Sequence, residues 1–334
     1  MCKINGIVLR IGLLLSLTGV VQTAFAQKDA PIFSQQMFSS VNFNPAAVRT
    51  GNQIQGTLFG RHQWLGFEGA PASVMLNLEG YVGEIKSGFS ASILGDRFGH
   101  SHTLDFKAGY SYHFNLGGST TLQLGVSAGF LYKNFRGSDV ILDQNGDPII
   151  DLDDTQDVKP DVDFGIAFSS GGFMVGASAT HLTTFAYKKD DYFRPDLGLY
   201  LFMTYYGRVS DKLLLQPYVR AMYVGGAFKF EVDFRAEILR WFYIGAGYRY
   251  HEAVKAMAGI TILGKVAIGY CYDVGLGSIR NYQAGSHEIM ISLRLPTTSR
   301  LGDVTLDTPR YFGDTEGGNP PEKKSKKSKK SDAQ

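Results

Sequence analysis

Residues 227–238 read Ala-Phe-Lys-Phe-Glu-Val-Asp-Phe-Arg-Ala-Glu-Ile. Phe228, Phe230, Val232, Phe234, Ala236 and Ile238 fall on one parity, and Lys229, Glu231, Asp233, Arg235 and Glu237 on the other. Side chains alternate faces along a strand, so this segment has one oily face and one charged face. Its length matches the roughly 9–11 residues that a tilted strand needs to cross a bilayer. One such ribbon fits any half-buried sheet. Repetition is what gives it weight.

The same alternation recurs near 53–61, 72–81, 88–96, 102–114, 120–133, 161–169, 173–182, 196–207, 213–224, 242–250, 253–262, 265–274 and 285–295. With 227–238 this predicts fourteen strands. Short turns follow the fourth, sixth, eighth and twelfth strands, as at Gly117-Gly118-Ser119 and Ser170-Gly171-Gly172. Long polar connections (136–160, 183–195 and 275–285) follow the fifth, seventh and thirteenth. In hydrocarbon every backbone N–H and C=O must be paired, so a spanning sheet has to close. An even strand count, with short turns at one end and long loops at the other, suits an outer-membrane barrel whose termini are periplasmic. Tyr110, Tyr112, Phe114, Tyr132, Tyr248, Tyr250, Tyr270 and Tyr272 cluster toward strand ends, where an aromatic belt belongs. A secreted β-sandwich or propeller would share the periodicity. The leader, the aromatic placement and the loop asymmetry favour the barrel.

The 334-residue chain carries a formal net charge of +2, which gives no bulk field for nucleic acid. Charged residues are only 19% and aromatics 13%, as expected where much of the surface meets lipid. Lys3 and Arg10, the apolar stretch Ile11–Val21 and Ala24-Phe25-Ala26 read as a secretory leader, cleaved between Ala26 and Gln27. Removing it takes Cys2 and leaves Cys271 alone, with no internal disulfide and no cysteine-based zinc site. The domain organisation expected is a leader (1–26), an N-terminal segment that plugs or leads into the barrel (27–50), the barrel (51–295) and a periplasmic tail (296–334).

Several motifs form a recognisable set: Phe33-Ser34-Gln35-Gln36-Met37-Phe38, Phe43-Asn44-Pro45-Ala46-Ala47, Arg61-x-Gln63-Trp64-x-Gly66-Phe67-x-Gly69-Ala70-Pro71, Gly269-Tyr270-x-Tyr272-Asp273 and Gly285-Ser286-His287-Glu288-Ile289. Together they resemble the PorP/SprF family of the Bacteroidota type IX secretion system, over about residues 30–295. The resemblance implies an outer-membrane barrel that helps secrete or anchor client proteins bearing type IX C-terminal signals, including large adhesins of gliding motility, and that contacts periplasmic components of the secretion system. Many members stop soon after the last strand, whereas this chain continues for about forty residues.

The loop from Trp64 through Phe67 to Pro71, together with Asn44 and Pro45, is a candidate client or partner contact. For Trp64 the simpler expectation is closure of the first hairpin at the membrane rim. Asp143, Asn145 and Asp147 have calcium-loop spacing, but Asp154 stands where a bidentate Glu is needed and flanking helices are missing, so a solvated acidic loop is expected. The inward ions Lys229, Glu231, Asp233, Arg235 and Glu237 are of mixed sign, which favours a paired network filling the lumen over a selective pore. On that reading Phe230→Arg harms insertion and Glu231→Gln is tolerated. Lys323, Lys324, Lys326, Lys327, Lys329 and Lys330 form a basic tail suited to a periplasmic partner. With no P-loop and no histidine cluster, neither a cofactor nor catalysis is expected. The competing reading is a diffusion porin or small-solute transporter.

Overall fold

The computed structural model describes residues 31–51, 53–139, 153–188, 191 and 193–296. The strands are β1 (Gln53–His62), β2 (Ala72–Val82), β3 (Ser87–Phe98), β4 (Ser101–Gly117), β5 (Thr120–Phe135), β6 (Thr155–Ser170), β7 (Phe173–Thr180) and β8 (Gly198–Tyr205). They continue as β9 (Gly207–Ser210), β10 (Leu213–Val224), β11 (Ala227–Ile238), β12 (Phe242–Arg249), β13 (Ala253–Ile262), β14 (Val266–Gly275) and β15 (Ser286–Pro296). Each is antiparallel to its neighbour, and β15 pairs with β1 from Gln53↔Pro296 to His62↔His287. The sheet therefore closes on itself. β8 and β9 both pair with β10 and are two lengths of one stave. The break falls around Tyr206, on the side facing Pro217, which has no N–H to donate. The register with β10 is the same on both sides of it, and the Tyr206 N–H extends the pairing with the β7 side by bonding the Gly172 carbonyl at 2.8 Å. Fourteen staves result, the number the alternation predicts.

The faces are inverted relative to a soluble sheet. Along β11, Glu231, Asp233, Arg235 and Glu237 are buried, while Phe228, Val232 and Phe234 are exposed. Around the wall, Leu58, Val74, Ile93, Val126, Ile244 and Ile291 also point outward. Hydrophobic burial therefore requires lipid rather than a protein core. Aromatics mark both rims: Tyr112, Phe114, Tyr205 and Trp241 near the short turns, and Tyr223, Phe228 and Tyr250 near the long-connection end. No helix among the described residues is long and apolar enough to cross a membrane, so the strands alone span it.

One boundary differs markedly from the sequence reading. β6 begins at Thr155, and its pairing with β5 extends to Phe135↔Thr155. Thr-Gln-Asp-Val-Lys-Pro looks like loop in sequence, but backbone pairing to β5 overrides that composition. β7 covers only Phe164–Ser170 of β6. Pro160 thus lies on a length of strand without a ladder on its second side, where a missing N–H does no harm.

Residues 31–50 run through the lumen. Phe33, Ser34, Gln35, Met37, Phe38, Phe43, Asn44, Ala46 and Val48 are all nearly inaccessible. Pro31 and Ile32 lie among the long connections, beside Trp64, Pro195 and Val224. The chain then descends and reaches β1 at the short-turn end. The expectation of both termini at one end holds for Gln53 and Pro296, which pair. Pro31 lies at the opposite end, because the segment before β1 traverses the barrel.

Phe234→Arg puts a cation on the lipid face near mid-strand. We expect a loss of about 2–4 kcal/mol of barrel stability, measured by urea unfolding from lipid vesicles. Thr57→Val, at an inward position, serves as the comparison.

Candidate functional site

Ordering a chain segment costs about 1–2 kcal/mol per residue in backbone entropy alone. A lumenal segment therefore needs anchors along its length, and the wall provides them. The Glu288 carboxylate on β15 accepts two consecutive backbone N–H groups, from Ser34 at 2.6 Å and Gln35 at 2.8 Å. The Ser34 hydroxyl donates to Asp273 at 2.7 Å. Arg61 closes the group, reaching Asp273 at 2.8 Å and Glu288 at 3.4 Å. Gln55 donates to the Phe38 carbonyl at 3.0 Å, and Tyr243 to Gln35 at 2.9 Å. The guanidinium of Arg235 lies 4.9 Å from the Phe38 ring centre, and that of Arg220 lies 5.4 Å from the Phe43 ring centre.

Farther along, the segment crosses a part of the wall cleared by glycine. Asn44 donates to the carbonyls of Ile166 and Ala177, both at 3.2 Å, bridging β6 and β7. Its own side-chain oxygen accepts the Ala46 N–H at 2.9 Å, and Ser178 donates to the Phe43 carbonyl at 2.6 Å. A Cβ at Gly165 would fall on the Asn44 side-chain oxygen, and one at Gly125 on the Pro45–Ala46 peptide. These two positions must lack a side chain for the backbone to pass.

The inward charges pair as the mixed signs suggest. Glu231 is fully buried and meets Arg220 at 2.6 Å and Arg249 and Lys255 at 3.2 Å each. Lys255 also meets Asp233 at 2.6 Å. Arg235 bonds Gln216 at 2.9 Å and Glu237 at 3.4 Å, and Lys229 bonds Glu252 at 2.7 Å. Breaking a buried pair leaves uncompensated charge, so the expected tolerance of Glu231→Gln does not fit this geometry: three cations converge on that one carboxylate.

A second cluster occupies the opposite wall. Lys107 lies 2.8 Å from Asp163, 2.9 Å from Asp161 and 3.5 Å from Asp105, and His181 meets Asp161 at 2.7 Å. Asp105, Asp161 and His181 bring potential ligand atoms within 4.8 Å of one another. The Lys107 ammonium already serves these carboxylates as their cation.

Above the segment, a vestibule of about 500 Å³ opens among the long connections. Trp64 and Pro71 line it, whereas Phe67 is exposed on the rim and packs edge-on to Trp64 with ring centres 6.4 Å apart. The loop carrying Trp64 is held to the 276–285 connection through Leu65 N–H to Gly285 O at 2.8 Å and Ala284 N–H to Leu65 O at 2.7 Å. Asn44 and Pro45 are instead interior, facing the wall, so a client cannot reach them while the segment is seated. Asp143, Asn145, Asp147, Ala26, Gln27 and the tail lysines Lys323, Lys324, Lys326, Lys327, Lys329 and Lys330 lie outside the described residues.

Ser34, Arg61, Asp273 and Glu288 are not among the site residues to which the sequence points. All four nevertheless lie within the quoted motifs, four of which converge here on one hydrogen-bonded group. The family model for the type IX secretion system membrane protein PorP/SprF matches residues 24–293. The chain belongs to this family. As a PorP/SprF protein it is an outer-membrane component of the type IX secretion system. No curated protein matches its sequence. Among solved structures, the Ralstonia pickettii toluene transporter TbuX is similar at 11% identity and TM-score 0.48, over 76% of this chain and 92% of that one. The TodX deltaS2S3 mutant monoaromatic hydrocarbon channel is similar at 11% identity and TM-score 0.44, over 76% and 93%. A Pseudomonas aeruginosa FadL homologue follows at 10% and 0.42, over 75% and 91%.

Two substitutions test this PorP/SprF lumen. Glu231→Gln should cost about 3 kcal/mol in unfolding free energy, as removal of one partner of a buried pair does. Gly165→Val should leave the strands intact by circular dichroism. It should also make the Phe43–Ala47 region sensitive to added protease, because the Asn44 crossing is blocked.

Proposed function

We propose that this PorP/SprF protein is a non-enzymatic, non-conducting subunit that helps type IX clients, adhesins of gliding motility among them, to reach or remain on the cell surface. The long connections face the exterior, and the end where Pro296 leaves the barrel faces the periplasm. The observation that carries this reading is the lumen itself. Residues 31–50 fill it and are fixed to the wall at Glu288, Gln55 and Ser178. A diffusion porin needs an open water path there, and the buried charges that might line one are paired to each other and to the segment. The cluster around Glu231 is likewise a paired structural network, which supports a role through surfaces rather than chemistry. On this reading the vestibule and its rim residues Trp64, Phe67 and Pro71 meet clients. The basic residues near Lys323 meet a periplasmic component.

Planar-bilayer recording separates the two functions. The intact protein should show no large stable conductance, and deletion of residues 31–50 should produce one. A large open pore in the intact protein would support the porin instead. In cells, loss of the protein should leave client proteins unexported or shed from the surface, measured by surface labelling.

A further inference from the structure

The vestibule has an uneven charge balance that the filled lumen below does not share. Its cations are engaged: Lys229 bonds Glu252 at 2.7 Å, Arg249 meets Glu231 at 3.2 Å and Asp273 at 3.5 Å, and Lys133 also has a partner. Its carboxylates are not all matched. Among the described residues, Asp96 has only the Ser73 hydroxyl, at 2.6 Å, and no ion pair. Among the described residues, Asp105 has one oxygen buried without a hydrogen-bond partner, and the cation it pairs with, Lys107 at 3.5 Å, is shared with Asp161 and Asp163. Both line the cavity, beside an apolar wall that includes Leu94, Phe98 and Phe193. A desolvated carboxylate oxygen without a donor is costly, and a ligand donating to it would relieve that cost.

We propose that the vestibule binds an extended polypeptide segment of a partner, seating a lysine or arginine side chain against Asp105 and Asp96 and a neighbouring apolar side chain against Phe98 and Phe193. The inference rests on the reading of this protein as a partner-binding subunit, and it supplies the chemistry of what is bound. Three features argue for a peptide. The cavity volume, about 500 Å³, suits a few residues rather than a folded domain. Pro31 and Ile32 floor the cavity, so a ligand enters from the long-connection end. The excess charge is negative, which selects a cationic ligand and rejects an acidic one.

The test uses the full-length protein in detergent with Trp241→Phe, which leaves Trp64, on the cavity wall, as the only indole. The probes are acetyl-Leu-Lys-Leu-amide and acetyl-Leu-Glu-Leu-amide. Saturable change in Trp64 emission is expected with the lysine peptide alone, weakened at least tenfold in Asp96→Asn and in Asp105→Asn. Asp96→Asn keeps its Ser73 contact and guards against a folding defect at Asp105; both variants are checked for heat-modifiable migration. No binding, equal binding of both peptides, or undiminished binding in both variants overturns the proposal. A parallel cellular measurement keeps the two readings apart. If deleting the protein abolishes client display while the Asp96→Asn, Asp105→Asn double variant displays clients normally, the vestibule inference fails and the subunit role stands. If deletion leaves display unchanged, the subunit role fails.

Discussion

A backbone amide facing hydrocarbon has no water to pair with, and that constraint sets the rest of this structure. It forces β1 and β15 to meet, which removes every free edge from the spanning region. Closure with fourteen staves also creates an interior wider than facing side chains alone can fill. The chain meets this second problem with its own N-terminal segment. The segment brings more backbone polar groups into the lumen, and these need partners too. Glu288, Gln55 and Ser178 supply them from three different strands.

The charged parity follows from the same constraint. Lumen-facing positions cannot be lipid-like without competing with the outer face for hydrocarbon, so they are polar. Once water is displaced by residues 31–50, isolated ions there would be expensive. Arg220, Arg249 and Lys255 therefore gather on Glu231, and Asp105, Asp161 and Asp163 gather on Lys107. At the vestibule, where the filling stops, Asp96 has no ion pair among the described residues.

The outer face was legible in the sequence because period-two alternation is a local property, readable within each strand. β10 (213–224) and β13 (253–262) have the boundaries their patterns predict. The lumen was less legible because its contacts depend on tilt, register and closure. Arg61 and Asp273 lie on β1 and β14, two strands apart, and nothing local in either segment announces their meeting. Asn44-Pro45 reads as a turn and does turn, but its bonds to β6 and β7 lie more than a hundred residues away in sequence. The split of β8 from β9 was hidden for another reason: the pattern continues through Tyr206, and the gap comes from the neighbouring strand, where Pro217 has no N–H to give.

The bond between Ser34 and Glu288 spans 254 residues. Its donor precedes the first strand and its acceptor lies on the last. The anchor cannot form until β15 has been delivered and the seam with β1 is closing. Residues made earliest are thus secured latest, and sealing the wall and seating its contents become one cooperative event. A barrel assembled without that last strand would have both an open side and an unfastened interior.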